Sequence, residues 1–121
     1  KNKKITFLGV TFKPNTDDMR EASSISMINY LNKKNSKINY YDPSGEKSEF
    51  KNLKNVSFSK SIVSACLNAD LVILHTEWND FKFLNFKKLV KKKKFKIFDM
   101  RNLYSPTRMK KLNLKYFGIG R

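Results

Sequence analysis

Short apolar runs recur along this chain and alternate with segments whose apolar residues repeat at helical spacing. The clearest run covers residues 70–75, and similar runs lie at residues 5–10, 37–41, 56–58, 95–99 and 116–119. Such short, nearly continuous runs are typical of strands buried on both faces of a parallel sheet. Strands that alternate with helices indicate right-handed βαβ units. We therefore predict a three-layer α/β/α domain with a mainly parallel sheet of about five to six strands.

Four segments between these runs are predicted as helices, over residues 18–33, 59–68, 83–91 and 106–111. Asp18 and Glu21 have the spacing of a capping box, so the first helix is expected to begin there. Its buried stripe is predicted to consist of Ala22, Ile25, Ile28 and Leu31. In the second helix, the apolar positions are Ile62, Val63, Cys66 and Leu67. Residues 45–55 have no clear period.

The chain is strongly basic, with a formal net charge of +16 over 121 residues, which fit one domain. A basic domain can bind nucleic acid. However, 22 of its 26 basic residues are lysine and four are arginine, and asparagine occurs 13 times. This combination indicates an AT-rich genome, whereas base recognition uses arginine more often. The composition therefore disfavours nucleic acid as the partner.

The single cysteine and single histidine give little support for catalysis by this chain. Cys66 lies on the apolar stripe of a predicted helix, which favours a buried structural thiol over a nucleophile. His75 ends a strand, where a hydrogen-bonded histidine is more common than a base. One Cys and one His form no metal-ligand cluster, so no metal is expected. An unpaired cysteine, no apolar run long enough for a membrane span and no signal peptide together favour the cytoplasm.

Polar segments follow four of the predicted strands, at residues 11–20, 42–45, 76–79 and 101–104. Ligands of open α/β sheets bind beyond the carboxyl ends of the strands. Lys13, Arg20 and Arg101 lie in these segments and could converge there on phosphate or carboxylate. The amino end of the first helix is expected to add free backbone donors.

The acidic and aromatic residues of these segments have structural explanations. Asp17 and Asp18 are explained by turns and capping, and Asp99 is explained by orientation of Arg101 or of a backbone amide. Trp78 could stack on a base or pack its loop onto the core.

Five separated motifs resemble one known family in order and approximate spacing. They are Gly-Val-Thr-Phe-Lys-Pro-Asn-Thr-Asp-Asp-Met-Arg-Glu-Ala at 9–22, Tyr-Asp-Pro at 41–43, Ala-Asp at 69–70, Thr-Glu-Trp at 76–78 and Asp-Met-Arg-Asn at 99–102. The closing Gly-Ile-Gly-Arg at 118–121 is also similar. Together they resemble the C-terminal, UDP-binding domain of the UDP-glucose/GDP-mannose dehydrogenase family. The Thr-Glu-Trp and Asp-Asp-Met-Arg-Glu elements favour its UDP-glucose 6-dehydrogenase branch.

This resemblance implies a Rossmann-like fold and a role in the two-step, NAD-dependent oxidation of a UDP-sugar to a uronate. Residues 1–121 would form one UDP-sugar-binding domain, with the NAD-binding and central catalytic domains of the family absent from this chain. By resemblance, Phe12, Lys13 and Arg101 contact the substrate and Arg20 contacts NAD. No catalytic residue is expected here, and the chain lacks the glycine-rich dinucleotide motif. The domain alone should be inactive, and the full enzyme is expected to form a homo-oligomer.

The chain departs from the family pattern at four positions. Thr11 replaces a common small residue, Ser23 stands where proline often follows alanine, and His75 stands where a smaller or apolar residue is common. Met100 occupies a position usually held by glycine, where a side chain could shift the Arg101 backbone. Two alternatives remain open: the same domain of a GDP-mannose or UDP-aminosugar dehydrogenase, or a non-enzymatic basic module that binds nucleic acid.

Overall fold

The computed structural model describes residues 3–20 and 22–120, which contain six strands and four α-helices. The strands are β1 (Lys4–Leu8), β2 (Lys37–Tyr41), β3 (Val56–Phe58), β4 (Leu71–Leu74), β5 (Lys96–Asp99) and β6 (Lys115–Gly118). The helices are α1 (Ser23–Lys33), α2 (Ile62–Cys66), α3 (Phe86–Val90) and α4 (Pro106–Lys111). Two 3-10 turns, Ser48–Phe50 and Asn79–Phe81, lie in the longer connections. All six predicted strands are present, within one or two residues of their predicted bounds.

The strands form one parallel sheet in the order β3-β2-β1-β4-β5-β6. This is the doubly wound order, in which the chain leaves β1 towards one edge, returns, and continues from β4 towards the other edge. The connection between β3 and β4 therefore crosses the sheet. The predicted Rossmann-like α/β/α architecture is confirmed.

Two apolar cores lie on opposite faces of the sheet, because successive side chains of a strand point to opposite sides. One core contains Leu8, Val72 and Ile97 from the strands and side chains from α2, α3 and α4. The other contains Phe7, Tyr40 and Ile73 and is covered by α1. Within the described residues, no side chain of α2, α3 or α4 belongs to this second core. In that part of the chain, no helix is long and apolar enough to cross a membrane.

The first helix begins at Ser23, not at residue 18 as predicted. Ala22 is its N-cap and no side chain caps it, so the helix offers its first free amides near Ser23. Asp18 accepts hydrogen bonds from the backbone and guanidinium of Arg20 instead of capping a helix. The proposed partner of Asp18 in the capping box, Glu21, lies outside the described residues. The predicted stripe is confirmed: Ala22 and Ile28 are buried, and Ile25 and Leu31 pack against the same core.

The second and third helices are shorter than predicted. Ser61 caps α2 through a hydrogen bond from the Ser64 amide, which fixes its start near residue 62. Cys66 is buried and Ile62 packs on the core, but Val63 and Leu67 are 60% and 39% exposed. The predicted four-residue stripe was therefore wrong for Val63 and Leu67, because a five-residue helix turns only part of its surface to the sheet. Helix α3 begins at residue 86 because Asn85 caps it.

Candidate functional site

The carboxyl ends of β1 and β4 lie side by side at the centre of the sheet, where the strand order reverses. Such a reversal opens a crevice between the connections that leave to opposite sides. Gly9 ends β1 here with φ of +81°. A Cβ atom on Gly9 would lie 2.5 Å from Cβ of Thr76, which follows β4. The close contact between the ends of β1 and β4 therefore requires glycine at position 9, both for its backbone conformation and for its approach to Thr76.

Buried Asp42 holds the backbone that leaves β1. Its Oδ2 accepts hydrogen bonds from the amides of Val10 at 2.8 Å and Thr11 at 3.3 Å. Its Oδ1 accepts from the amide and hydroxyl of Ser44, which fixes the turn after β2. From the sequence, Asp42 was predicted to lie in a polar segment after a strand and in the Tyr-Asp-Pro motif, with no positioning role assigned to it. Its position directly after a strand that neighbours β1 was the signal that could have revealed it.

Arg101 joins three connections at the carboxyl edge of the sheet. Its Nε–H donates to the carbonyl of His75 at 2.8 Å, and its Nη2 donates to the carbonyl of Phe12 at 2.9 Å. Nε also lies 3.7 Å from a carboxylate oxygen of the exposed Glu77. Arg101 follows β5, so its side chain passes the end of β4 to reach the loop after β1. The structure thus places Arg101 beside the Phe12-Lys13 segment.

Asp99 orients the backbone from which Arg101 projects. Its fully buried carboxylate accepts from the Arg101 amide at 3.1 Å and from the Tyr104 amide at 3.0 Å. The Tyr116 hydroxyl donates to the same carboxylate at 2.6 Å. The predicted orienting role of Asp99 is confirmed.

Met100 lies between Asp99 and Arg101, at the position where the family usually has glycine. Its side chain is half-buried against the second core, and its amide donates to the Leu74 carbonyl. The methionine therefore leaves the hydrogen bond between Asp99 and the Arg101 amide in place.

Phe12 and Lys13 are exposed at this edge, with Phe12 43% exposed. Thr11 is fully buried, and its hydroxyl donates to the Lys13 carbonyl at 2.9 Å. The hydroxyl of Thr76 donates in turn to the Thr11 carbonyl at 2.8 Å. The threonine at position 11 therefore stabilises the turn that carries Lys13.

Arg20 lies at the far end of the same loop, in an exposed ion pair with Asp18. Nη2 of Arg20 is 2.9 Å from Oδ2 of Asp18, and the arginine side chain is 89% exposed. The hydrogen bonds from Arg20 lower the pKa of Asp18 to about 2. Arg101 contacts the Phe12 carbonyl, and the Phe12 amide donates to the carbonyl of Asp18, the residue that pairs with Arg20. The Phe12-Lys13 segment therefore lies between the two arginines through its backbone contacts.

His75 is buried beneath this edge and hydrogen-bonded at both ring nitrogens. Nε2 lies 2.9 Å from Oγ of Ser23, and Nδ1 lies 3.1 Å from Oγ1 of Thr76. Burial and the neighbouring Arg101 charge lower the pKa of His75 to about 4, so the ring is neutral at pH 7. The predicted hydrogen-bonded histidine at the strand end is confirmed. It connects the start of α1 to the end of β4.

The remaining candidates for chemistry are structural. Cys66 is fully buried, and burial raises the pKa of its thiol to about 12, so the reactive thiolate is absent at neutral pH. Trp78 is 8% exposed within the core that contains Phe81 and Phe86, which favours loop packing over base stacking. Across residues 3–20 and 22–120, no three His, Cys, Asp or Glu side chains converge as a metal site would require.

Residues 6–106 match the family described as "UDP-glucose/GDP-mannose dehydrogenase family, UDP binding domain". The chain belongs to this family. It is 36% identical to the UDP-glucose 6-dehydrogenase of Rickettsia felis over 123 residues and 35% identical to that of Rhizobium meliloti over 119 residues. These matches cover 99% and 98% of the chain but only 28% and 27% of the two relatives. The chain therefore corresponds to a C-terminal domain and spans about a quarter of their length.

Two solved structures of sugar-nucleotide dehydrogenases share this fold. An NDP-N-acetyl-D-galactosaminuronic acid dehydrogenase from Methanosarcina mazei Go1 superposes with a TM-score of 0.84 at 24% identity, covering 99% of the chain and 25% of that protein. A UDP-glucose dehydrogenase from Pyrobaculum islandicum gives 0.76 at 22% identity, covering 98% and 25%. These likenesses show the fold, and the match over residues 6–106 shows the family.

Proposed function

We propose that this chain is the nucleotide-sugar-binding domain of an NAD-dependent UDP-glucose 6-dehydrogenase. In that longer protein, an NAD-binding domain and a central catalytic domain precede residue 1, and the assembly is a homo-oligomer. The family match and the relatives named UDP-glucose 6-dehydrogenase support this proposal. The unpaired Cys66 is consistent with a cytoplasmic location.

The observation that carries the proposal is the Arg101 bridge to the Phe12 carbonyl. A guanidinium has five N–H donors. The hydrogen bonds within the described residues use Nε–H and one hydrogen of Nη2. The other donors are therefore available to a phosphate or carboxylate, which the planar fork can bind in a bidentate manner. Arg101 would hold the loop and the ligand at the same time.

Lys13 would supply a second, mobile positive charge next to this fork. Its side chain is exposed, and its backbone is fixed by the hydrogen bond from Thr11 to the Lys13 carbonyl. A lysine ammonium binds phosphate as a point charge, so it tolerates movement of the ligand during two successive oxidations. The exposed ring of Phe12 would contact the sugar or the base. Together these three residues would form one wall of the UDP-sugar site.

Arg20 would contact NAD from across the cleft between domains. Its pair with Asp18 keeps the guanidinium on the loop surface, and the side chain is 89% exposed. NAD itself would be held mainly by the preceding domain, since this chain has no glycine-rich dinucleotide turn.

This domain would contribute binding and exclusion of water rather than a nucleophile. The thiol of Cys66 is buried with a pKa of about 12, so a reactive cysteine must come from another domain. Closure of the carboxyl edge over the nucleotide sugar would shield hydride transfer from solvent. The chain alone is therefore expected to bind UDP and to show no dehydrogenase activity.

Calorimetric titration of the chain with UDP-glucose, UDP and GDP tests the proposal. We expect UDP and UDP-glucose to bind with 1:1 stoichiometry and Lys13→Ala to weaken this binding about tenfold, as loss of roughly 1.4 kcal/mol would. Lys51→Ala is the matched control, because Lys51 is exposed next to the 3-10 turn Ser48–Phe50. Preference for GDP would favour the GDP-mannose branch. Salt-dependent nucleic-acid binding without UDP binding would overturn the proposal in favour of a basic binding module.

A further inference from the structure

A row of apolar side chains crosses one face of the sheet from β1 to β6. Strand register pairs Phe7 with Ile73, Ile73 with Phe98, and Phe98 with Phe117. In-register residues of neighbouring parallel strands point to the same face. This is the face covered by α1, since Phe7 and Ile73 belong to the core that α1 completes.

Only half of this face is covered by the described residues. Helix α1 packs against β2, and α2, α3 and α4 contribute to the opposite core. Along the row, exposure rises from 0% at Phe7 and 3% at Ile73 to 52% at Phe117, with Phe98 intermediate. Sheets composed of parallel strands normally have both faces covered. The surface over β5 and β6 therefore lacks the layer that such a sheet requires; we call it the open face.

Lysines lie on the open face one row closer to the amino ends of the strands. Register aligns Ile5, Leu71, Lys96 and Lys115, and both lysines are exposed. These residues line a groove of about 360 Å³. Its wall also includes Lys3, which is the first described residue, Lys94 and Asp70, whose carboxylate pairs with Lys92. The open face thus combines an apolar strip with a positive border, and the described part of the chain enters beside it.

We propose that an amphipathic helix preceding residue 1 in the longer protein packs on the open face, with its apolar side on Phe98 and Phe117 and acidic residues beside Lys96 and Lys115. This inference rests on the proposed function in one respect, the existence of the longer protein. The two UDP-glucose 6-dehydrogenases named above have nearly three quarters of their length outside the matched region. A segment joined at residue 1 has a high effective concentration at this groove, because Lys3 lines it.

Charge disfavours a second copy of this domain as the occupant. A two-fold contact through the same surface would bring Lys96 and Lys115 of one copy close to those of the other. The chain already carries a net charge of +16, so such a contact adds repulsion. A helix with acidic borders instead satisfies both the apolar strip and the lysines. Helices are also the usual covering layer of a parallel sheet.

Site-specific photo-crosslinking in the protein expressed from its complete coding region tests this inference. A benzophenone amino acid replaces Phe117, or Phe83 as the matched control, which is 89% exposed in the connection before α3. We expect the probe at position 117 to crosslink within its own chain to a peptide that precedes residue 1, and the probe at position 83 to give no such product. A mixture of light and heavy isotope-labelled protein separates crosslinks within a chain from those between chains.

Charge reversal gives a second, independent measurement. Lys96→Glu with Lys115→Glu should reduce the yield of this crosslink severalfold, whereas Lys110→Glu with Lys111→Glu, at exposed positions of α4, should not. Circular dichroism checks that each variant is folded. No crosslink at position 117, or one to the same domain of a second copy, would overturn the inference. UDP titration of the same samples tests the proposed function separately, because its site lies at the opposite, carboxyl edge of the sheet.

Discussion

Ser23 and His75 form a hydrogen bond 2.9 Å long between the first residue of α1 and the end of β4. Ser23 and His75 are two of the four positions at which the sequence departs from the pattern of the UDP-glucose/GDP-mannose dehydrogenase family. Their contact explains the two departures together, because a serine hydroxyl supplies the partner that a buried imidazole nitrogen needs. A proline at position 23 could not do so.

A double-mutant cycle should reveal this coupling. We expect Ser23→Ala to lower the free energy of unfolding by about 1 kcal/mol in the wild-type chain, the net value of a typical hydrogen bond. In the His75→Leu background, the same substitution should cost much less, because its partner is already gone. Urea denaturation of the four proteins measures both values. Equal costs in the two backgrounds would show that the contact contributes no stability.

Stability should fall as the pH decreases from about 6.5 to 4. The folded-state pKa of His75 is about 4, below the value of 6.5 for the free side chain. The unfolded chain therefore binds a proton in this range while the folded chain does not, which favours unfolding by up to roughly 3 kcal/mol. Thermal unfolding between pH 4 and 7.5 measures the effect, and His75→Leu should flatten the profile there. Asp18 contributes at lower pH, because its depressed pKa of about 2 places its transition below pH 4.

Gly9→Ala should be far more damaging than Gly45→Ala. Both glycines have positive φ, but a Cβ at position 9 would lie 2.5 Å from Thr76, whereas nothing lies within 4 Å at position 45. We expect a loss of roughly 1 kcal/mol at Gly45 from backbone strain alone and roughly 3 kcal/mol or more at Gly9. Chemical denaturation gives both values. Similar losses would mean that the ends of β1 and β4 can move apart.

Replacing Arg101 and Lys13 should separate loop positioning from ligand binding. Arg101→Lys keeps the charge but cannot reach both the His75 and Phe12 carbonyls with a planar fork. We expect it to weaken UDP binding and to increase amide exchange of residues 11–13, whereas Lys13→Ala should weaken binding alone. Calorimetry and hydrogen exchange provide the two readouts. Wild-type exchange in Arg101→Lys would argue against the bridging role.

Cys66 should resist alkylation in the native chain. Its thiol is fully buried and has a pKa of about 12, so neither access nor ionisation favours reaction. Iodoacetamide at pH 8 should label the protein only at the rate of unfolding, with complete labelling in denaturant. Mass spectrometry measures the modified fraction. Rapid labelling under native conditions would place Cys66 in a more open environment.

The strands could be predicted well from the sequence, because each strand is a short apolar run and the polar residues on either side of the run indicate where it ends. The helix starts were predicted less well. Helix α1 begins five residues after Asp18 because Asp18 binds Arg20 instead of capping it. Val63 and Leu67 lie on an apolar sequence pattern, but the orientation of the short α2 leaves them exposed. Orientation depends on where the sheet lies, which a local pattern does not contain.

For the candidate site, the sequence indicated which charged residues follow the strands. The family motifs predicted four site residues, namely Phe12, Lys13, Arg20 and Arg101. The sequence did not indicate that Arg101 crosses the end of β4 to bind a carbonyl 89 positions away, or that Asp42 holds the amides after β1. These contacts follow from strand order and register.

By itself, the sequence determined the α/β alternation, the basic charge and the family. Periodicity and motifs are properties of short segments, and charge follows from composition, so none of them depends on the folded arrangement. Only the tertiary structure decided which loops meet, which face of the sheet remains open and which polar groups become buried together, because these depend on contacts between residues far apart in the chain.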